Sequence, residues 1–141
     1  MKTLYTAEAL ATGEGRNGNA RTSDGRLDLD LAIPEAMGGS GNGTNPEQLF
    51  AAGYAACFHS ALQLVARQDK ADITDSAVGA RVDIGPNDAG GFQLAVTLEV
   101  TLPNLDREQA QALADKAHQV CPYSNATRGN IDVTVTVTED E

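Results

Sequence analysis

Apolar and polar residues alternate most regularly in two segments of the chain, residues 27–33 and residues 131–137. Leu or Ile occupies every second position in the first segment, with Asp or Ala between, and Ile or Val alternates with Asp or Thr in the second. This period of two is typical of strands that bury one face. Residues 4–11, 77–84 and 92–102 also have the composition of strands, so the sequence predicts five strands.

Two longer segments have the pattern of helices. The first covers residues 45–67 and is apolar nearly all round, so we expect it to be central and buried. Thr44 is its expected cap, and Pro46 and Glu47 suit its first turn as in a capping box. The second covers residues 107–119, with Asp106 as cap and Pro122 as the residue that ends it.

Strands and helices occur in the order strands, helix, strands, helix, strand. This order predicts an α+β fold in which two helices pack on mostly antiparallel sheet. We predict one domain over residues 1–141, with strands and a hairpin at 1–33, the central helix at 45–67, and the remaining elements at 76–141. A hairpin turn is expected at Asp24 and Gly25, and Arg16 lies in the glycine-rich loop before it.

Composition narrows the possible functions. The formal net charge is −10, and ten Lys and Arg among twenty Asp and Glu leave little material for the basic face that nucleic acid needs. We see no stretch that approaches the roughly 18 apolar residues of a membrane span, and no signal peptide in the first residues. We therefore expect a cytoplasmic protein that binds neither nucleic acid nor membrane.

Cys57 in the central helix and Cys121 at the end of the second helix are the two cysteines of the chain. They could be small buried packing residues. Zinc is a second alternative, with His59 and His118, but Cys57 and His59 are two positions apart on a helix and point away from each other. In a reducing compartment a disulfide between the cysteines would be transient and catalytic. A reactive Cys57 in an apolar helix would need a nearby cation to ionise.

Three motifs carry a family resemblance. The stretch LYTAEALATGEGRNG near the N-terminus, NPEQLFAAGYAACF at residues 45–58 and VCPYSNATRGN at residues 120–130 occur in that order. The chain resembles the organic hydroperoxide resistance (Ohr) proteins of the Ohr/OsmC superfamily along essentially its whole length. The resemblance implies an OsmC-like fold with two central helices in an intertwined homodimer, with active sites at the subunit interface.

The same resemblance implies an activity. It indicates a thiol peroxidase that reduces organic and fatty-acid hydroperoxides, binds no cofactor or metal, and is reduced again by dihydrolipoamide or lipoylated proteins. Cys57 matches the peroxidatic cysteine and Cys121 the resolving one. Arg16 matches the arginine that activates the thiolate, with Arg21 as the alternative if the loop alignment shifts. Glu47 matches the carboxylate that holds this arginine.

Helix geometry adds one expectation about these residues. Glu47 precedes Cys57 by ten positions on one helix, which corresponds to about 15 Å along the axis. This distance is longer than an arginine side chain. We therefore expect the Arg16–Glu47 pair beside a given Cys57 to come from the other subunit.

Five apolar residues are candidates for a pocket that accepts an alkyl chain, although each could equally belong to the core. They are Leu31, Met37, Phe50, Tyr54 and Phe58. Two other functions stay open: a peroxidase of the OsmC branch with another peroxide preference, and a non-enzymatic thiol sensor. The resemblance gives His59 and His118 no role.

Overall fold

The computed structural model describes residues 1–138 and has an α+β fold with two three-stranded sheets and three α-helices. The chain forms two compact units, Met1–Leu49 and Phe50–Glu141. The boundary between them falls near the start of the first helix. Residues 139–141 of the predicted domain lie outside the described residues.

The N-terminal unit contains a small antiparallel sheet in the order β1 (Ala9–Thr12), β2 (Asn19–Thr22), β3 (Asp28–Asp30). The turn predicted at Asp24 and Gly25 is confirmed, since it joins β2 to β3 with Gly25 at a φ of +74°. Strand β1 begins later than the predicted residue 4, and β3 is shorter than the predicted 27–33. Strand β2 was missed, because its sequence NART has no apolar alternation.

The C-terminal unit contains helix α1 (Pro46–Asp69), whose first residues belong to the N-terminal unit, and the second sheet. In that sheet β4 (Ala77–Pro86) and β5 (Phe92–Thr101) are antiparallel, and β6 (Val133–Thr138) lies parallel beside β5. The parallel pair needs a long crossover between its strands. This crossover contains helices α2 (Arg107–Val120) and α3 (Pro122–Thr127).

The helix ends differ in part from the prediction. Asn45, not Thr44, caps α1, since its side-chain oxygen accepts from the Gln48 N–H at 2.8 Å. Thr44 lies one residue too early, because its backbone N–H and carbonyl are bonded to the segment of residues 30–32 in an isolated bridge. The Asp106 cap of α2 is confirmed, with its carboxylate accepting from the Gln109 N–H.

Pro122 ends helix α2 as predicted, and a short helix that was not predicted follows directly. Helix α2 ends at Val120, Cys121 adopts an extended conformation, and a new short helix begins at Pro122. Proline is well suited to the first position of a helix because that position needs no backbone N–H bond. The proline therefore marks a break between two helices, and this break places Cys121 at a corner.

The core of the C-terminal unit lies between the helices and the second sheet. Its largest fully buried side chains come from α1, β5 and the turn at Cys121: Tyr54, Phe58, Leu62, Leu98, Val100 and Cys121. By length and composition alone α1 could cross a membrane, which corrects the expectation that no segment is apolar enough. The core helix of a water-soluble protein has the same properties, and the inner face of α1 is covered by this core.

Candidate functional site

Cys57 and Cys121 lie next to each other in the C-terminal unit. Cys57 is half-buried on α1, and Cys121 is fully buried at the corner between α2 and α3. The two sulfurs lie 3.5 Å apart, within hydrogen-bond distance of each other. A disulfide bond has an S–S length of about 2.05 Å, so the two sulfurs need to approach by only roughly 1.5 Å. The arrangement can therefore convert between a dithiol and a disulfide.

The surroundings of Cys57 within its own unit oppose ionisation. Burial raises the pKa of the Cys57 thiol above its usual value, because desolvation disfavours the thiolate. The backbone N–H of Tyr123 donates to the sulfur and works in the opposite direction, whereas the neighbouring Cys121 raises the pKa further. A reactive thiolate at neutral pH therefore needs a positive charge in addition to these groups.

Arg16 and Glu47 form a two-point ion pair within the N-terminal unit. Arg16 Nη1 donates to Glu47 Oε1 at 2.6 Å, and Nη2 donates to Oε2 at 3.0 Å. The hydrogen bond from Arg16 lowers the pKa of the Glu47 carboxyl. The guanidinium is presented by a single helical turn, Gly15–Asn17, and the carboxylate by the first turn of α1. Arg21, the alternative candidate, is exposed on β2.

A chain of buried hydrogen bonds connects the three helices of the C-terminal unit. Tyr54 Oη lies 2.8 Å from Ser124 Oγ and 3.2 Å from Thr127 Oγ1. His118 Nδ1 lies 2.7 Å from the same serine oxygen. Burial and the charge of Arg128 lower the pKa of His118, so its neutral form is favoured. Sequence reasoning made Tyr54 a pocket candidate only, and it gave His118, Ser124 and Thr127 no role although they lie in or beside the second cysteine motif.

Three aromatic rings pack together on the same side of α1 as Cys57. Phe50 stacks on Tyr123 with ring centroids 6.0 Å apart, and Tyr54 contacts both rings at 5.9 and 5.6 Å. Gly53 permits this approach, since a Cβ there would lie 3.0 Å from the Tyr123 hydroxyl. Tyr123 was not among the pocket candidates, yet its ring is partly exposed and its backbone contacts Cys57.

The five pocket candidates have different environments. Tyr54 and Phe58 have no exposed surface and belong to the core, whereas Phe50 is half-buried. Leu31 and Met37 belong to the N-terminal unit, where Leu31 is half-buried beside Thr44 and Met37 is 43% exposed. Their role in substrate binding stays a prediction.

The histidines of the sequence have separate environments. His59 is bonded through Nε2 to Ser76 Oγ at 2.9 Å, and His118 belongs to the buried chain described above. Within residues 1–138, no three side chains of His, Cys, Asp or Glu are grouped as a metal site requires.

Comparison with known proteins shows the family to which the chain belongs. The family described as "OsmC-like protein" matches residues 39–136. An organic hydroperoxide resistance protein of Xanthomonas axonopodis pv. citri is 56% identical over 138 residues, which cover 96% of each chain. The organic hydroperoxide resistance protein OhrB of Bacillus subtilis is 50% identical over 131 residues, covering 92% of this chain and 95% of the relative.

Solved structures give the same result. An organic hydroperoxide resistance protein of Legionella pneumophila superposes with a TM-score of 0.93 at 51% identity, covering 97% of this chain and 99% of the other. A protein of the same name from Elizabethkingia anophelis gives a TM-score of 0.94 at 51% identity, covering 99% and 100%. The chain therefore belongs to the OsmC-like family and, within it, to the organic hydroperoxide resistance proteins.

Proposed function

We propose that this protein is a cytoplasmic thiol peroxidase that reduces organic and fatty-acid hydroperoxides to alcohols. The observation that carries the proposal is the pair of thiols 3.5 Å apart, with one sulfur half-buried and the other fully buried. The relatives named for resistance to organic hydroperoxides support the substrate class. Cys57 is the attacking residue, because it is the more accessible of the two sulfurs.

The first step converts the Cys57 thiolate into a sulfenic acid. The sulfur attacks the terminal oxygen of the hydroperoxide, the O–O bond breaks, and the alkoxide leaves and takes up a proton to become the alcohol. Sulfur is oxidised by two electrons and the peroxide is reduced by two. The Tyr123 N–H, which already donates to this sulfur, stabilises the thiolate form.

The second step forms a disulfide. The Cys121 sulfur attacks the Cys57 sulfenic acid, an S–S bond forms, and the hydroxyl leaves as water with the thiol proton. The short distance between the sulfurs favours this step over further oxidation of Cys57 to the sulfinic acid. An external dithiol such as dihydrolipoamide, free or on a lipoylated protein, then reduces the disulfide by thiol exchange and becomes a disulfide itself.

Arg16 supplies the positive charge that Cys57 needs, and Glu47 orients it. A guanidinium stays protonated throughout the useful pH range and can bond a carboxylate and a thiolate together. Glu47 lies in the first turn of α1, and ten residues of helix correspond to about 15 Å. The pair that serves one Cys57 is therefore assigned to the other subunit of a homodimer.

Exposed apolar residues of the N-terminal unit support this homodimer. Leu4, Tyr5, Leu10 and Leu27 are 93, 79, 56 and 47% exposed in the single chain. So many large apolar side chains in one small unit are typical of a surface that a partner covers. This partner is a second copy of the chain, because Arg16 of one subunit is assigned to Cys57 of the other.

Catalytic turnover tests the proposal. Purified protein is mixed with excess cumene hydroperoxide and dihydrolipoamide, and peroxide consumption is followed. A peroxidase consumes many equivalents per chain, and Cys57→Ser abolishes the reaction. Ser60→Ala, at an exposed position of the same helix, is the control and retains activity. Consumption that stops after one equivalent would instead indicate a thiol sensor, and consumption by Cys57→Ser would contradict the role of this residue.

A further inference from the structure

The buried hydrogen-bond chain of the C-terminal unit has a single possible direction. Thr127 Oγ1 lies 3.2 Å from the backbone carbonyl of Ser124, and a carbonyl can only accept, so Thr127 donates its one proton there. Tyr54 must then donate to Thr127, and Ser124 must donate to Tyr54. Each of these hydroxyls has one proton to give.

The same reasoning fixes the tautomer of His118. The Ser124 proton is directed to Tyr54, so the 2.7 Å contact between Ser124 Oγ and His118 Nδ1 requires the proton on the histidine nitrogen. The order of donation is therefore His118, Ser124, Tyr54, Thr127 and the Ser124 carbonyl. A chain with every proton assigned is fully satisfied, and such networks specify one arrangement of a core.

This chain of hydrogen bonds connects the helices and the corner that carry the two cysteine sulfurs. Tyr54 lies three residues before Cys57 on α1, and Ser124 lies three residues after Cys121 on α3. His118 is in the last turn of α2, just before the corner that contains Cys121. Arg128 adds a second contact between α2 and α3, donating to the His118 carbonyl at 3.4 Å and to Asn125.

Apart from the ring of Tyr123, which packs on Phe50 and Tyr54, helix α3 has few other supports. It has six residues, its N-cap residue Cys121 makes no side-chain capping bond, and four of the six residues are exposed. The two buried residues are Ser124 and Thr127, and both belong to the buried hydrogen-bond chain. A helix this short is not stable by itself. These buried hydroxyls therefore act together with the ring of Tyr123 to hold α3 on α1, and with it Cys121.

We propose that His118, Ser124, Tyr54 and Thr127 are positioning residues for the disulfide-forming step, holding Cys121 within reach of the oxidised Cys57. The proposal rests on the proposed function and assigns these residues no contact with the peroxide. The step they serve joins the Cys121 sulfur to the Cys57 sulfenic sulfur and releases water. Looser attachment of α3 slows this step and leaves more time for a second peroxide to produce the sulfinic acid.

Two hydroxyl deletions test the proposal. Tyr54→Phe and Thr127→Val each remove one oxygen from the chain and keep the size of the side chain nearly constant. We expect disulfide formation after a single addition of peroxide to slow by about tenfold, the rate equivalent of one buried hydrogen bond. Acid quenching and mass spectrometry of the Cys57 peptide measure disulfide and sulfinic acid, and the sulfinic fraction rises. The initial consumption of peroxide by Thr127→Val stays within about twofold of the wild type.

Matched variants separate positioning from general destabilisation. Thr127→Ser loses a methyl group but retains the hydroxyl, so it restores disulfide formation toward the wild-type rate. Thr134→Val removes a threonine hydroxyl from an exposed position of β6 and leaves both steps unchanged. Unchanged disulfide formation in both deletion variants, or equal slowing of both steps, would overturn the proposal.

The tautomer of His118 gives a measurement on the unaltered protein. The ¹⁵N chemical shifts of its ring nitrogens distinguish a proton on Nδ1 from one on Nε2. At neutral pH we expect a proton on Nδ1 and none on Nε2. The opposite result would overturn the assigned order of hydrogen-bond donation, and this test does not depend on whether any variant folds. Failure of the proposed function has a different signature, since the wild type would then form no Cys57 sulfenic acid at all.

Discussion

Arg16 holds Glu47 by both terminal nitrogens of its guanidinium, at 2.6 and 3.0 Å. In the Arg81–Glu99 pair on the second sheet the nitrogen–oxygen distance is longer, at 3.4 Å, and both side chains are more exposed. Two-point pairs of arginine with a carboxylate fix the plane of the guanidinium as well as its position. A loop residue oriented this way can present its remaining N–H groups to a further anion.

Glu47→Gln tests this orientation. Glutamine has one oxygen to accept with and no charge, so the two-point pair is lost while the helix position stays filled. We expect peroxide reduction (kcat/KM) to fall roughly tenfold to a hundredfold, the range for a lost charge-assisted bond. Glu99→Gln, which breaks the exposed pair, should leave turnover unchanged. Equal activity of Glu47→Gln and wild type would contradict the orienting role.

Acid should break the Arg16–Glu47 pair at a pH set by the carboxyl. The hydrogen bond from Arg16 lowers the pKa of folded Glu47 below the unfolded value of about 4.3. The pair therefore contributes its full stability above that value and loses it as the pH falls through the folded pKa. The difference in melting temperature between wild type and Glu47→Gln should be constant near neutral pH and disappear in acid. A difference that grows in acid would contradict the sign of this shift.

Cys121→Ser should separate the two chemical steps. The serine cannot form a disulfide, so Cys57 reacts once, remains a sulfenic acid and is oxidised further by excess peroxide. Mass spectrometry should show Cys57 sulfinic acid in this variant under conditions where the wild type shows the disulfide. Continued formation of an intramolecular disulfide is impossible in this variant, so sustained resistance to over-oxidation would contradict the resolving role of Cys121.

Leucines on opposite sides of α1 should differ in their contribution to stability. Leu62 is fully buried in the core, whereas Leu64 is 42% exposed. Leu62→Ala leaves a cavity and should reduce the free energy of unfolding by about 2–5 kcal/mol. Leu64→Ala, the matched control, should cost less than about 1 kcal/mol. Urea unfolding measures both, and equal losses would contradict the assigned inner face of the helix.

The sequence predicted those helices and strands in which the pattern of apolar residues reflects burial. The central helix, the β4–β5 hairpin and β6 carry periodic apolar residues, and each was found within a few positions of its predicted range. Strand β2 was missed because its sequence has no apolar alternation. Helix α3 was missed because most of its residues are exposed and it begins at the proline expected to end a helix. Backbone bonds and a few buried hydroxyls form these elements, and such contacts leave no periodic signal.

The candidate site was predictable to a similar extent. Motif resemblance indicated the two cysteines and the Arg16–Glu47 pair, and chemistry indicated that burial would oppose ionisation of Cys57. The buried hydrogen-bond chain was not predictable, because His118 and Ser124 are far from Tyr54 in the sequence and only the fold brings them together. The N-cap was placed one residue early for a related reason, since the bridge that engages Thr44 is a contact with residue 31.

The ionisation of Cys57 is the most direct test of this account. In a Cys121→Ser background, the pH dependence of Cys57 alkylation gives the pKa of a single thiol. We expect a pKa below the ordinary cysteine value of about 8.5 when Arg16 is present, and above it in Arg16→Ala, where burial outweighs the effect of the Tyr123 N–H. Arg81→Ala in the same Cys121→Ser background is the control and should leave the pKa of Cys57 unchanged. A Cys57 pKa above the ordinary value with Arg16 present, unchanged by its removal, would contradict the claim that this arginine activates the thiol.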